Sequence, residues 1–290
     1  MKTFSVPFVK LDSYKACEQH LSEMSTEYDR RKRFERSLIE EGNGYSVDGY
    51  CYVCKHESSF LYDYLATYPI DGVLTPNWRE RLICPACGLN NRMRASIHLF
   101  EMLLHPDKEK SRLYITEQVT PLYNWFLKNY THVTGSEFFG EAVPWGTNRD
   151  GIRNESLTRL SFPDDSFHHI LSFDVFEHIP DVETAFRECL RTLRAGGTLF
   201  FTAPFNKYVE KNLVRAVVNE RNEIEHLLSP EIHGNPVNPA DGCLAFYRFG
   251  WEMLDQLRSI GFREVRAYFY WSKEFVYLGD EQYLFIAEKH

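Results

Sequence analysis

Four of the seven cysteines in this 290-residue chain fall in two Cys-x-x-Cys pairs, Cys51–Cys54 and Cys84–Cys87. A two-residue spacer lets both sulfurs of a pair face one ion, and zinc prefers four tetrahedral thiolates. Gly88 follows the second pair, where a knuckle needs backbone with few steric limits. The repeated spacing favours a structural zinc ion held by Cys51, Cys54, Cys84 and Cys87 over a redox pair or chance buried cysteines. Four protein ligands leave no open position for substrate or water.

The composition sets the frame for that site. A hydrophobic content of 43% is ample for a core and argues against wholesale disorder. The net charge of −8 argues against a general nucleic-acid binder, which needs positive charge to displace phosphate counterions. The opening residues MKTFSVPFVKLDSYK contain no continuous apolar stretch, and no run of about 18 apolar residues occurs anywhere. The expectation is a cytoplasmic protein without a membrane segment, and the paired cysteines then point to metal rather than cystine.

Helical periodicity places Cys17, Leu21, Met24 and Tyr28 on one face of a helix over about Ser13–Glu41, stopped by Gly42-Asn43-Gly44. Arg30, Arg31, Lys32, Arg33 and Arg36 lie among Glu27, Asp29, Glu35, Glu40 and Glu41, the pattern of a solvated charged face. After the second cysteine pair, Asn90–Arg94 opens a helix to about Leu104, closed by His105-Pro106. Arg92 and Arg94 in it suit support of the cysteine module better than anion binding. From about Lys108, strands and helices alternate as in a parallel α/β sheet. The strands are expected at Arg112–Thr116, His132–Gly135, Ile152–Ser156, His169–Phe173 and, after Gly196-Gly197, Thr198–Ala203. Helices fall at Pro121–Asn129, Val182–Leu193 and Trp251–Ile260, and Arg263–Tyr270 and Gln282–Glu288 close the sheet.

Within this frame SFPDDSF (161–167), FDVFEH (173–178) and Arg194-Ala195-Gly196-Gly197 follow one another at suitable intervals. Over Leu157–Phe205 the chain resembles the type-11 family of class I S-adenosylmethionine (SAM) methyltransferases. The resemblance implies a Rossmann-like α/β fold, mostly parallel with its last strand antiparallel, preceded by a zinc ribbon and helix. A zinc module before such a domain also resembles the arrangement in sugar C-methyltransferases. The implied organisation is a helical segment at 1–47, a zinc ribbon with its linking helix at 48–106, and a methyltransferase-like domain at 107–290. A substrate-lid insert occupies about 206–248.

The cofactor implied by the resemblance is SAM, with zinc as a structural ion. An acid at the end of the second strand accepts hydrogen bonds from the ribose hydroxyls, and Glu137 stands there with Phe138 beside it. The adenine contact falls to Glu155, Ser156 and Leu157, and the methionine end to Phe173 and Asp174. Where the family has a glycine-rich loop, this chain has Thr116-Glu117-Gln118-Val119-Thr120. Those residues approach a ligand less freely than glycine does, although Glu117 can meet the methionine ammonium directly.

Methyl transfer needs alignment and, for oxygen or carbon acceptors, a base. His178, four residues after Asp174, and His233 in the insert are the candidate bases. A connection as long as Asn206–Phe249 is more often functional than idle. His233-Gly234-Asn235-Pro236 suits a lid, and Tyr247 and Arg248 suit a polar or anionic substrate. The leading expectation is a methyltransferase for a small polar metabolite or a glycan or natural-product precursor. The alternatives are an RNA-modifying methyltransferase using the ribbon with Arg92, Arg94 and Arg30–Arg36, a SAM enzyme that transfers aminocarboxypropyl or cyclises, and a non-catalytic partner protein. Oligomeric state is not legible.

Overall fold

The computed structural model describes residues 5–39, 45–65, 67–70, 72–238 and 240–290. The expected helix stop at Gly42-Asn43-Gly44 lies outside them. The chain divides into two compact units. The first contains Glu18–Pro106 and Tyr268–Tyr283, and the second contains Asp107–Ala267 and Leu284–His290. Residues 268–283, sequence-adjacent to the sheet's end, thus group with the cysteine module.

The single expected N-terminal helix is two, Tyr14–Glu23 and Ser25–Ser37, interrupted at Met24. The hairpin Tyr45–Cys51 and His56–Tyr62 follows, antiparallel with Cys51 opposite His56. Its turn is the first cysteine knuckle, closed by Lys55 N–H donating to the Cys51 carbonyl with Lys55 in the left-handed region. The second knuckle repeats the device: Gly88 (φ +72°) donates to the Cys84 carbonyl at 2.8 Å. Leu61 and Ile83 exchange backbone hydrogen bonds at 2.8 and 2.7 Å, which brings the two knuckles side by side. Phe60, Trp78, Leu82, Trp271, Val276 and Leu278 bury themselves beneath them. The helix Asn91–Leu104 starts on Asn90, whose side chain accepts from Met93 N–H, and ends at His105 in the left-handed conformation before Pro106.

The second unit is the α/β sheet. Its first strand, Arg112–Ile115, pairs in parallel with the second, His132–Gly135, on one side and with the fourth, Phe167–Phe173, on the other. The fourth pairs in parallel with the fifth, Leu193–Thr202, and Tyr277–Glu288 runs antiparallel to the fifth through Phe285–Glu288. Arg263–Ser272 lies next to that strand. Six of the sheet's seven strands lie in the order second, first, fourth, fifth, last, penultimate, and the reversal of direction matches the expected fold class. Residues such as Leu113, Ile115, Ile170, Leu171, Leu199 and Phe200 are fully buried, as strands covered on both faces require.

Two expectations are corrected here. The third strand is not continuous over 152–156: Ile152–Arg153 folds back on Asn148–Arg149, and one parallel bridge, Glu137 with Asn154, remains at the sheet edge. The fifth strand starts earlier than Gly196-Gly197, at Leu193, with Gly196 (φ +73°) producing an irregularity inside it rather than a turn before it. The insert is ordered by three short antiparallel pairs: Leu213–Val214 with Tyr247–Arg248, Ala216–Val218 with Ile224–His226, and Ile232–His233 with Cys243–Leu244. Among the described residues no helix is long and apolar enough to cross a membrane.

Candidate active site and cysteine centre

The turn after the first strand replaces glycine flexibility with side-chain bracing. Thr120 caps the helix Pro121–Asn129: its Oγ1 accepts from Tyr123 N–H at 3.1 Å and donates to Glu117 at 2.6 Å. Glu137 Oε1 accepts from the backbone N–H groups of Gln118 (2.6 Å) and Val119 (3.0 Å). Burial raises the Glu137 carboxyl above its ordinary range, and those two amides act in the opposite direction. Close approach is conceded instead by Gly135 at the end of the second strand. A Cβ there would collide with the Tyr123 ring and lie 2.8 Å from the Glu117 carbonyl. The family's loop glycine is absent, and a strand glycine lets the turn and strand meet.

Other expected cofactor residues are engaged with the protein itself. The Gln118 side chain donates to Gly151 O (3.0 Å) and accepts from Arg153 N–H (2.9 Å), pinning the 148–153 hairpin. Buried Glu155 pairs with Arg153 (2.8 Å) and accepts from Ser161 N–H and Oγ. Ser156 bonds Thr158, Leu157 is buried, and Thr116 Oγ1 donates to Ser172. Phe173 is buried at the end of the fourth strand, while Asp174 adopts φ +54° and accepts from Thr202 Oγ1 at 2.9 Å. Phe138 is 62% exposed and stacks on Trp145 at 5.9 Å. Trp145 escaped the sequence reading, and its only signal was an aromatic residue in an otherwise polar loop.

The two candidate bases come together. His178 and His233 meet edge to face at 4.9 Å on either side of Glu177, whose side chain is fully buried. The insert is fastened there by Phe246 N–H donating to Glu177 O (2.7 Å) and Tyr247 Oη donating to Pro180 O (2.6 Å). Glu177 lifts His233 to about 8, against burial and with help from Glu231. At 3.6 Å the Glu177 contact is an ion pair rather than a hydrogen bond. Glu177 and Glu231 thus favour positive charge at the His233 ring. Burial pushes the Cys243 thiol up, and the charges of Glu177 and Glu137 add to this, so one insert cysteine feels both acids. Tyr247 and Arg248, expected at the substrate, bond within the protein, Arg248 to Glu231 at 3.5 Å.

A cavity of about 330 Å³ lined by Arg112, Asp165, His168 and Arg194 lies at the amino ends of the strands. Ligands of open α/β sheets bind at the opposite, carboxyl ends, where Glu137 and Asp174 stand.

The cysteine centre has the dimensions zinc requires. The four sulfurs lie within 4.8 Å of one another, and Cys54 Sγ is 3.8 Å from Cys84 Sγ. Zn–S bonds of about 2.3 Å in a tetrahedron put sulfurs roughly 3.8 Å apart. Arg94 is fully buried nearby, donating to the carbonyls of Phe275 and Leu82; burial lowers its pKa, and Tyr277 and the cysteines act in the opposite direction. Arg92 pairs with Glu80, and Arg30 and Arg31 pair with Glu27. These arginines serve the first unit's own structure.

Residues 119–201 match the family model of the type-11 methyltransferase domain. No curated protein matches the chain. Among solved structures, a SAM-dependent methyltransferase from Mesorhizobium loti is 16% identical, with 67% of this chain and 98% of that one covered and a TM-score of 0.41. The Burkholderia thailandensis 1,6-didemethyltoxoflavin-N1-methyltransferase is 14% identical over 68% of this chain and 77% of that one, with a TM-score of 0.41. The family match thus covers residues 119–201, from the turn after the first strand to the fifth strand.

Proposed function

We propose that the protein transfers a methyl group from SAM to a small polar metabolite or a glycan or natural-product precursor, and that a structural zinc ion holds its N-terminal module. The observation that carries this reading is Glu137. It stands at the carboxyl end of the second strand with one oxygen fixing the 118–119 amides and the stacked Phe138–Trp145 pair beside it. Glu137 would hold the ribose through its other oxygen, and Phe138 with Trp145 would offer an aromatic face to adenine. When bound, SAM supplies an electrophilic methyl group on a sulfonium. Asp174, braced by Thr202, would orient the methionine ammonium, and the insert would exclude water and select the acceptor. Proton removal from the acceptor falls to the cluster at Glu177, His178 and His233. Cys51, Cys54, Cys84 and Cys87 would hold zinc with no open position.

The test is S-adenosylhomocysteine release from SAM with pools of polar metabolites and glycan precursors, run beside RNA. Release with a small-molecule pool, lost when His178 and His233 are both replaced by alanine, is expected. Unchanged release from the double variant would remove the cluster from proton handling, and release only with RNA would overturn the substrate class.

A further inference from the structure

The cluster between the fourth strand and the insert has a feature that proton transfer does not explain. Glu177 lies in the short turn Phe176–His178, its side chain is 0% exposed, and neither carboxylate oxygen accepts a hydrogen bond. A buried carboxylate that accepts no hydrogen bond needs positive charge beside it, from a protonated imidazole or a bound cation. His178 Nε2 lies 3.5 Å and His233 Nδ1 3.6 Å from the same oxygen, Oε1. The far nitrogen of each ring is already engaged. His178 Nδ1 bonds the Leu244 carbonyl at 2.8 Å, and His233 Nε2 bonds the Glu231 carboxylate at 3.1 Å. Carbonyl and carboxylate oxygens only accept, so each far nitrogen carries a proton, and a metal ion that displaces any proton on the near nitrogens meets a lone pair on each. Glu231 is held in turn by Arg215 at 3.3 Å and Arg248 at 3.5 Å. Ligand histidines in metal sites are oriented by this kind of outer hydrogen bond.

We propose that Glu177, His178 Nε2 and His233 Nδ1 form a divalent transition-metal site, distinct from the four-cysteine centre, that coordinates an oxygen of the acceptor substrate. The three donor atoms lie within 4.8 Å of one another. Imidazole with carboxylate suits manganese, iron, cobalt or zinc, and three protein ligands leave positions open for an exogenous oxygen. The histidine side chains are 17% and 30% exposed against 0% for Glu177, so the reachable side of the site is the histidine side, towards the insert. An acceptor hydroxyl coordinated there becomes more acidic and releases its proton to solvent. The histidines then act as ligands and need not serve as bases. The substrate assignment rests on the methyl-transfer reading; the metal site itself does not.

The experiment uses the full-length, zinc-loaded protein without SAM, titrated with Mn(II) while free Mn(II) is followed by electron paramagnetic resonance. Manganese is the probe because it favours oxygen and nitrogen donors over thiolates. One Mn(II) per chain is expected. His233→Ala should abolish saturable uptake, and Glu231→Ala, which removes only the outer hydrogen bond, should weaken it by about 10- to 100-fold. His132→Ala, at an exposed histidine on the second strand, should leave it unchanged. Circular dichroism of each variant checks folding. Absence of saturable Mn(II) uptake, or uptake indifferent to both His233→Ala and Glu231→Ala, would overturn the site. Metal uptake without S-adenosylhomocysteine binding would count against the cofactor reading alone, and the reverse against the metal site alone.

Discussion

Thr120 lies in the turn 116–120, where the family that the chain resembles has a glycine-rich loop, and its hydroxyl makes bonds that glycine cannot. It caps a helix and ties down Glu117. Thr120→Ala should lower stability by about 1 kcal/mol, the usual scale for a lost N-cap, read as an earlier urea midpoint with an unchanged slope. Glu137 was legible by position, because an acid directly after the second strand is recognisable in sequence. Its grip on the 118–119 amides was not, since that contact joins residues 18 and 19 positions apart. Glu177 was visible as the neighbour of His178, but a glutamate beside a histidine does not announce burial without a hydrogen bond. That depends on the insert closing over it through Phe246 and Tyr247. The four cysteines were legible in full, because their spacing alone brings sulfurs together within each pair.

At the scale of elements, the parallel strands were readable because buried strands are apolar runs bounded by turn residues. The third was misread because Ile152-Arg153 has strand composition yet pairs locally with Asn148–Arg149. Gln118 holds that hairpin, so Gln118→Ala should speed hydrogen exchange at the Arg153 amide by roughly 3- to 10-fold, the scale of one net hydrogen bond. No change there would show that the hairpin stands without the clamp. In the fourth strand, burial holds the His169 imidazole down to about 4 against an ordinary 6.5. The folded state therefore favours neutral His169, and this contribution is intact above pH 6.5 and lost as pH falls through 4. The thermal midpoint should decline across that window, and less steeply in His169→Asn. Parallel declines in the two proteins would exclude His169 as a source.

For the whole molecule, the two units make separate predictions. Stripping metal from the cysteine centre with a mercurial and a chelator should release about one zinc per chain and lower the thermal midpoint, because a structural site contributes its binding energy to folding. Cys84→Ser should give the same loss of zinc. Full stability without zinc would reduce the cluster to four buried thiols. The assignment of Tyr268–Tyr283 to the cysteine-bearing unit was not legible, because the sequence shows two continuous closing strands and no break in composition. The fold class was legible because FDVFEH marks the end of the fourth strand even where the glycine loop has gone.

The central claim is that a methyltransferase domain without its loop glycines still holds the cofactor through Glu137. Calorimetric titration of the zinc-loaded protein with S-adenosylhomocysteine, beside Glu137→Ala, tests it most directly. The account predicts saturable binding with one site per chain, weakened at least about tenfold in the variant, the scale of charge-assisted hydrogen bonds. Binding that is indifferent to Glu137→Ala, or no binding at millimolar ligand, would contradict it.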